Sequence, residues 1–169
     1  MSTQSTETLY DEALPFVRTV EERALFHGEL ETALQSLYIK DAEKLVEFLE
    51  RNVRHSTSQF IKKVLLSEND NTDTTALKNT LEGLRVSLLQ MPIIHLDIAF
   101  EPTNKTSVML STWLRTHVQK DIVIEYGLDR TLIAGARIIF NGKNIEVSIT
   151  EIINSYLERE HEHIQKLFN

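Results

Sequence analysis

The chain has 169 residues, a formal net charge of −7 and no cysteine, which leaves room for one domain or two small ones and excludes a disulfide framework, a thiolate metal site and a cysteine nucleophile. The acidic balance argues against a binder of nucleic acid or of an anionic membrane, either of which calls for a basic excess. No run approaches the roughly 18 apolar residues of a membrane span, and the polar opening MSTQSTETLYDEALPFV fits neither a signal peptide nor a transit peptide, so a soluble, cytoplasmic protein is expected.

Residues 1–8 are rich in Ser and Thr and are expected to fray. Helical signals then run over residues 9–90. Tyr10, Phe16 and Phe26 fall in a first helical segment, either as core or as the lining of a groove for a partner helix. Ala42, Leu45, Val46, Leu49 and Val53 keep helical spacing after Asp41, a good N-cap. Ser56 or Ser58 is read as the start of a helix carrying Phe60, Ile61, Val64 and Leu65. SENDNTDTT, residues 67–75, has no apolar residue and reads as a loop. Leu77, Leu81, Leu84 and Leu88 form the stripe of another helix, capped by Thr74 or Thr75 and ended by Pro92.

At Ile93 the apolar period changes from 3.6 to 2. Ile94, Leu96, Ile98 and Phe100 alternate with His95, Asp97 and Ala99, the pattern of a half-buried strand. A turn at Pro102-Thr103-Asn104 opens a crossover helix with Val108, Leu110, Trp113, Leu114 and Val118, with Trp113 read as core. DIVIEY, residues 121–126, alternates again, so residues 93–126 make a β-α-β unit. Leu132, Ala134, Ala136, Ile138 and Phe140 share one side of a further strand. Asn141-Gly142 is a two-residue hairpin signal, because both residues tolerate positive φ. A return strand follows at 144–147. Ser148-Ile-Thr-Glu151 fits a capping box, and Ile149, Ile152, Ile153, Tyr156, Leu157, Ile164 and Leu167 mark a last helix. The expected fold is α+β: a helical bundle over residues 1–91, then a small β-α-β-β-β-α module over residues 92–169.

The chemistry is sparse. Neither GxGxxG, GxxxxGK[ST] nor GxSxG occurs. His161-Glu162 with Gln165 is one residue short of HExxH, and His161 and His163 are two apart, so they face different sides of a helix; a solvated helix face is expected there. His27, His55, His95 and His117 lack ligand spacing. His95 and Asp97 share the polar face of one strand, as a cross-strand network or an interface patch. Glu21 with Glu22, Glu29 with Glu31 and Glu158 with Glu160 are read as carboxylates turned to water, since nothing forces two of them into one low-dielectric pocket. No catalytic residue, metal or cofactor is expected, and a role in protein interaction follows by elimination.

Residues 129–157, DRTLIAGARIIFNGKNIEVSITEIINSYL, resemble the C-terminal signature of the delta subunit of F-type ATP synthases, the oligomycin-sensitivity conferring protein family. Asp129, Leu132, Ile133, Ala134 and Gly135 match its first part, Gly142 its turn, Ser148 its serine, and Ile153 and Leu157 its helix. Upstream, residues 94–129 have that family's strand, helix and strand layout, and Tyr10-Asp-Glu-Ala13-Leu14 is similar to its opening Tyr-Ala-x-Ala-Leu. Glu146-Val147 stands where the family has Asp-Gly. Asp11 replaces an alanine, and Pro15 falls where the first helix should run. A proline beyond the first turn costs about 3 kcal/mol, so that helix is expected to begin near Pro15.

The resemblance implies a non-catalytic stator subunit at the cytoplasmic face of the cell membrane, held there only through its complex. Its helical half would hold an N-terminal helix of an alpha subunit, with Tyr10, Ala13 and Leu14 as contacts. Its C-terminal half would join the b subunits of the peripheral stalk. Two other readings stay open: a stalk subunit of a V/A-type or flagellar/type III export ATPase, and an unrelated small enzyme or ligand-binding domain with His95, Asp97 and the C-terminal histidines near a cleft.

Overall fold

The computed structural model describes residues 3–39, 42–67, 74–132 and 135–148. The fold is mixed α+β, with helices first and a four-stranded sheet after them. The chain divides into two compact units, Met1–Pro92 and Ile93–Asn169.

The first unit contains α1 (Thr3–Ala13), a 3-10 turn (Leu14–Phe16), α2 (Val20–Ser36), α3 (Ala42–Asn52), α4 (His55–Ser67) and α5 (Thr74–Leu89). The first helix thus occupies Thr3–Ala13 rather than fraying there and beginning near Pro15. The proline sits in the 3-10 turn just after the helix, where its missing N–H interrupts no α-helical ladder. What the sequence suggests is one segment through Phe16 and Phe26 is therefore two helices. The second has its own cap. Thr19 Oγ1 accepts from the Glu22 N–H at 3.2 Å, and the Glu22 carboxylate accepts from the Arg18 N–H at 2.9 Å. Asp41 and most of the expected loop, 68–73, lie outside the described residues.

The stripe on α5 behaves as its spacing predicts: Leu77, Leu81, Leu84 and Leu88 are all buried. Phe26 and Leu30 of α2, Leu49 of α3 and Phe60, Ile61 and Val64 of α4 are buried as well, and α5 packs against α2 and α1. Phe16, Phe26 and Phe60 form an aromatic cluster with centroids 5.1, 5.6 and 5.7 Å apart. Each fully buried side chain of this kind contributes about 1.5–3 kcal/mol.

One acidic residue corrects the sequence reading. Glu29 is not turned to water but is buried, 7% exposed. Helix α4 begins at His55, with Arg54 rather than Ser56 or Ser58 at its cap position. An arginine side chain cannot accept a hydrogen bond, and Glu29 reaches from α2 to bind the start of α4 instead. Its carboxylate takes the Arg54 N–H at 2.9 Å, the Arg54 guanidinium twice at 2.8 Å and the Thr57 hydroxyl at 2.6 Å. A carboxylate at a helix N-terminus is also favoured by the helix dipole.

In the second unit the order is β1 (Ile93–Ile98), α6 (Asn104–His117), β2 (Val123–Leu128), β3 (Gly135–Phe140) and β4 (Lys143–Ser148). The sheet order is β2-β1-β3-β4. β1 and β2 are parallel, joined through α6, and β3 is antiparallel to both β1 and β4. The expected β-α-β-β-β succession is present, and the expected last helix, 149–169, lies outside the described residues. Ile94, Leu96, Ile98 and Ile124 point to one face, where Leu110 and Leu114 of α6 pack on them. Ala136, Ile138 and Phe140 extend that face across β3. Phe100, read as the last inward residue of the first strand, lies beyond β1 and is 58% exposed.

Candidate interaction surface

The signature positions are best understood from the connection between β2 and β3. Asp129 follows β2, and its N–H donates to the Ile98 carbonyl at 3.0 Å, fastening the connection to the end of β1. Its Oδ1 accepts from the N–H and hydroxyl of Thr131, at 2.9 and 2.5 Å. Its Oδ2 accepts from Arg137 at 3.2 Å. The Thr131 bonds, with Arg137 behind them, hold the Asp129 carboxyl below the usual carboxylate range. Leu132 closes the turn through its N–H to the Asp129 carbonyl and is buried. Gly135 then opens β3 at φ 120°, a conformation that only glycine adopts without strain. Its strand partner is Ser148. Asn141 (φ 49°) and Gly142 (φ 73°) make the two-residue hairpin turn between β3 and β4, with Phe140 and Lys143 as its closing pair. Each of these residues shapes the backbone. Ile133, Ala134, Ile153 and Leu157 lie outside the described residues.

His95 and Asp97 do share the polar face of β1, yet they do not pair with each other. His95 Nδ1 faces Glu125 Oε2 across the β1–β2 ladder. Asp97 faces Arg137 at 3.6 Å across β1–β3, and Arg137 also reaches Asp129 at 3.2 Å. The result is two separate contacts on that face, His95 with Glu125 across β1–β2 and an ionic cluster of Asp97, Arg137 and Asp129. Among the described residues no group of three or more His, Cys, Asp or Glu is placed to hold a metal ion. His161, His163 and Gln165 lie outside the described residues.

In the helical unit Ala13 is 0% and Leu14 8% exposed. Both side chains belong to the interior of that unit, while Tyr10 is half-buried.

The surface that sequence reasoning missed is on α6. Trp113, read as core, is 55% exposed. The side of α6 turned to the sheet is instead Ser107, Leu110, Ser111 and Leu114. Both serines are buried, and the turn of the helix carries Met109 and Trp113 to the opposite side. Met109 is 63% and Val108 40% exposed. The His117 ring stacks on Trp113 with centroids 4.9 Å apart and an interplanar angle of 18°. The missed signal was the serine pair at 107 and 111, four apart and in register with Leu114.

No helix among the described residues is long and apolar enough to cross a membrane. No protein-family model matches the chain, and no curated protein matches it.

Proposed function

We propose that the protein is a non-catalytic stator subunit of an F-type ATP synthase, joining the catalytic head to the peripheral stalk against the torque of the rotor. One observation carries the reading: a helical unit is followed by a β-α-β-β-β unit whose turn-forming positions coincide with the delta-subunit-like residues of 129–157. Asp129, Gly135 and Gly142 stand in that stretch where the fold needs a fastened turn, a positive φ and a hairpin. These roles are structural, so the likeness concerns the build of the unit and not a reaction. Two compact units, each with its own apolar interior, also suit a subunit that must grip two different partners. On this reading the helical unit takes an alpha-subunit helix, the second unit takes the b subunits, and the protein lies at the cytoplasmic face of the membrane through its complex.

The test is recovery of the native assembly from gently solubilised membranes, with this protein as bait and the partners identified by mass. Alpha, beta and b subunits of an F-type enzyme are the expected companions. Recovery of a V/A-type or flagellar export ATPase would transfer the protein to that machine. Absence of every rotary ATPase subunit would overturn the reading.

A further inference from the structure

The outward side of α6 differs in charge from the rest of the molecule. The whole chain carries −7, yet residues 103–120 contain no Asp or Glu and include Lys105, Arg115 and Lys120. Lys105, Met109, Trp113 and His117 follow one another at intervals of four, which places them in one row along the helix. All four are exposed, with Met109 and Trp113 in the middle, Lys105 at one end and the His117 ring at the other. A tryptophan left in water beside a methionine is costly for a side chain of that size, and both types are enriched at protein interfaces. An apolar centre in a stretch that carries Lys105, Arg115 and Lys120 and no carboxylate complements an apolar stripe flanked by carboxylates.

We propose that this row is the docking surface for an acidic amphipathic helix of a partner protein. The inference rests on the stator reading, in that it assigns the face by which the second unit holds its stalk. An anionic bilayer is the poorer occupant. The acidic chain is repelled by it, and each basic group near such a surface contributes only about 1 kcal/mol. The side chains beside the row are mixed, Val108 with Thr112 and Thr116, rather than uniformly apolar.

The chain has no cysteine of its own, so a single Met109→Cys variant of the full chain carries a benzophenone cross-linker at one place. It is incorporated into the native assembly and irradiated, and the cross-linked peptide is sequenced. An Asn144→Cys variant on β4 serves as the comparison. The expected adduct is a segment of another protein with net negative charge and apolar residues at helical spacing, formed from position 109 and not from 144. A synthetic peptide of that segment then quenches or shifts the emission of Trp113, the chain's single tryptophan. Lys105→Glu is expected to weaken its binding about tenfold at low salt, and less at high salt. An adduct to lipid, an adduct to residues 149–169 of the same chain, or none at 109 overturns the proposal. If rotary ATPase subunits are recovered while position 109 gives no adduct, the surface fails and the stator reading stands. If the adduct is an acidic helix from some other assembly, the surface stands and the stator reading fails.

Discussion

Gly127 of β2 lies opposite Asp97 of β1, and the aspartate side chain occupies the space a β-carbon at Gly127 would need. A Cβ built there falls 2.0 Å from Asp97 Oδ1 and 3.2 Å from its Cγ. The glycine thus lets the carboxylate lean over β2 while it faces Arg137 from β1. Gly127→Ala is expected to swing Asp97 away from Arg137 and to destabilise the second unit by about 1 kcal/mol. Asp97→Ala removes the obstacle. The double variant should therefore cost less than the sum of the single ones, with a coupling of about 1 kcal/mol in urea denaturation. Strict additivity would show that the carboxylate accommodates a methyl group freely.

In the helical unit, Glu29 makes acid stability depend on one buried carboxylate. Burial pushes its pKa up, but the bonds from Arg54 and Thr57 outweigh that, and the net direction is down. A carboxyl lowered on folding stabilises the protein fully above its unfolded pKa, and that contribution is lost as pH falls through the folded value. Far-UV circular dichroism melts are therefore expected to be flat near neutrality and to fall below the ordinary carboxylate range, about pH 4. Glu29→Gln should reduce stability at neutral pH by about 1–3 kcal/mol and shrink the difference from wild type at low pH. A constant difference at every pH would mean that Glu29 acts through its shape and not its charge.

Gly135 provides a sharper test of the second unit. At φ 120° any side chain is strained, at a cost of about 1–3 kcal/mol. Gly135→Ala is expected to lower the urea midpoint of the second unit correspondingly, followed by Trp113 emission. Asn141→Gly, at φ 49° in the hairpin turn, should change it by only a few tenths of a kcal/mol. Equal effects at the two sites would contradict the backbone account.

These residues also mark where the sequence was legible. Leu77, Leu81, Leu84 and Leu88 declare a helix face, and Asn141-Gly142 declares a turn, because each signal is complete within a few neighbouring residues. The break at Pro15–Thr19 was local too, but the Thr19-x-x-Glu22 cap was hidden by apolar Phe16 and Phe26 on either side. Glu29 was illegible for a different reason. Its partners, Arg54 and Thr57, are 25 and 28 residues away, and no local pattern says which carboxylate will cap a distant helix. Trp113 is misleading because its hydrophobicity suggests core, while the buried side is marked by the small Ser107 and Ser111. On a helix lying close over a sheet, it is the small residues that indicate the inner side.

Leu14 decides between two roles for the opening of the chain. If it served a partner helix, its removal would leave the isolated protein intact and weaken only association. Its side chain is instead inside the unit, at the start of the 3-10 turn that leads into α2. Leu14→Ala removes buried methyl groups and leaves a cavity, for which about 2–4 kcal/mol is the expected loss. Leu25, 51% exposed on α2, is the matched control, and Leu25→Ala should cost under about 0.5 kcal/mol. The measurement is helical unfolding of the isolated full chain by circular dichroism in urea. Near-equal midpoints for Leu14→Ala and wild type would place Leu14 on the surface and return it to the partner-binding role. A lowered midpoint for Leu14→Ala alone would assign it to the interior, so that any loss of partner binding in that variant follows from loss of fold.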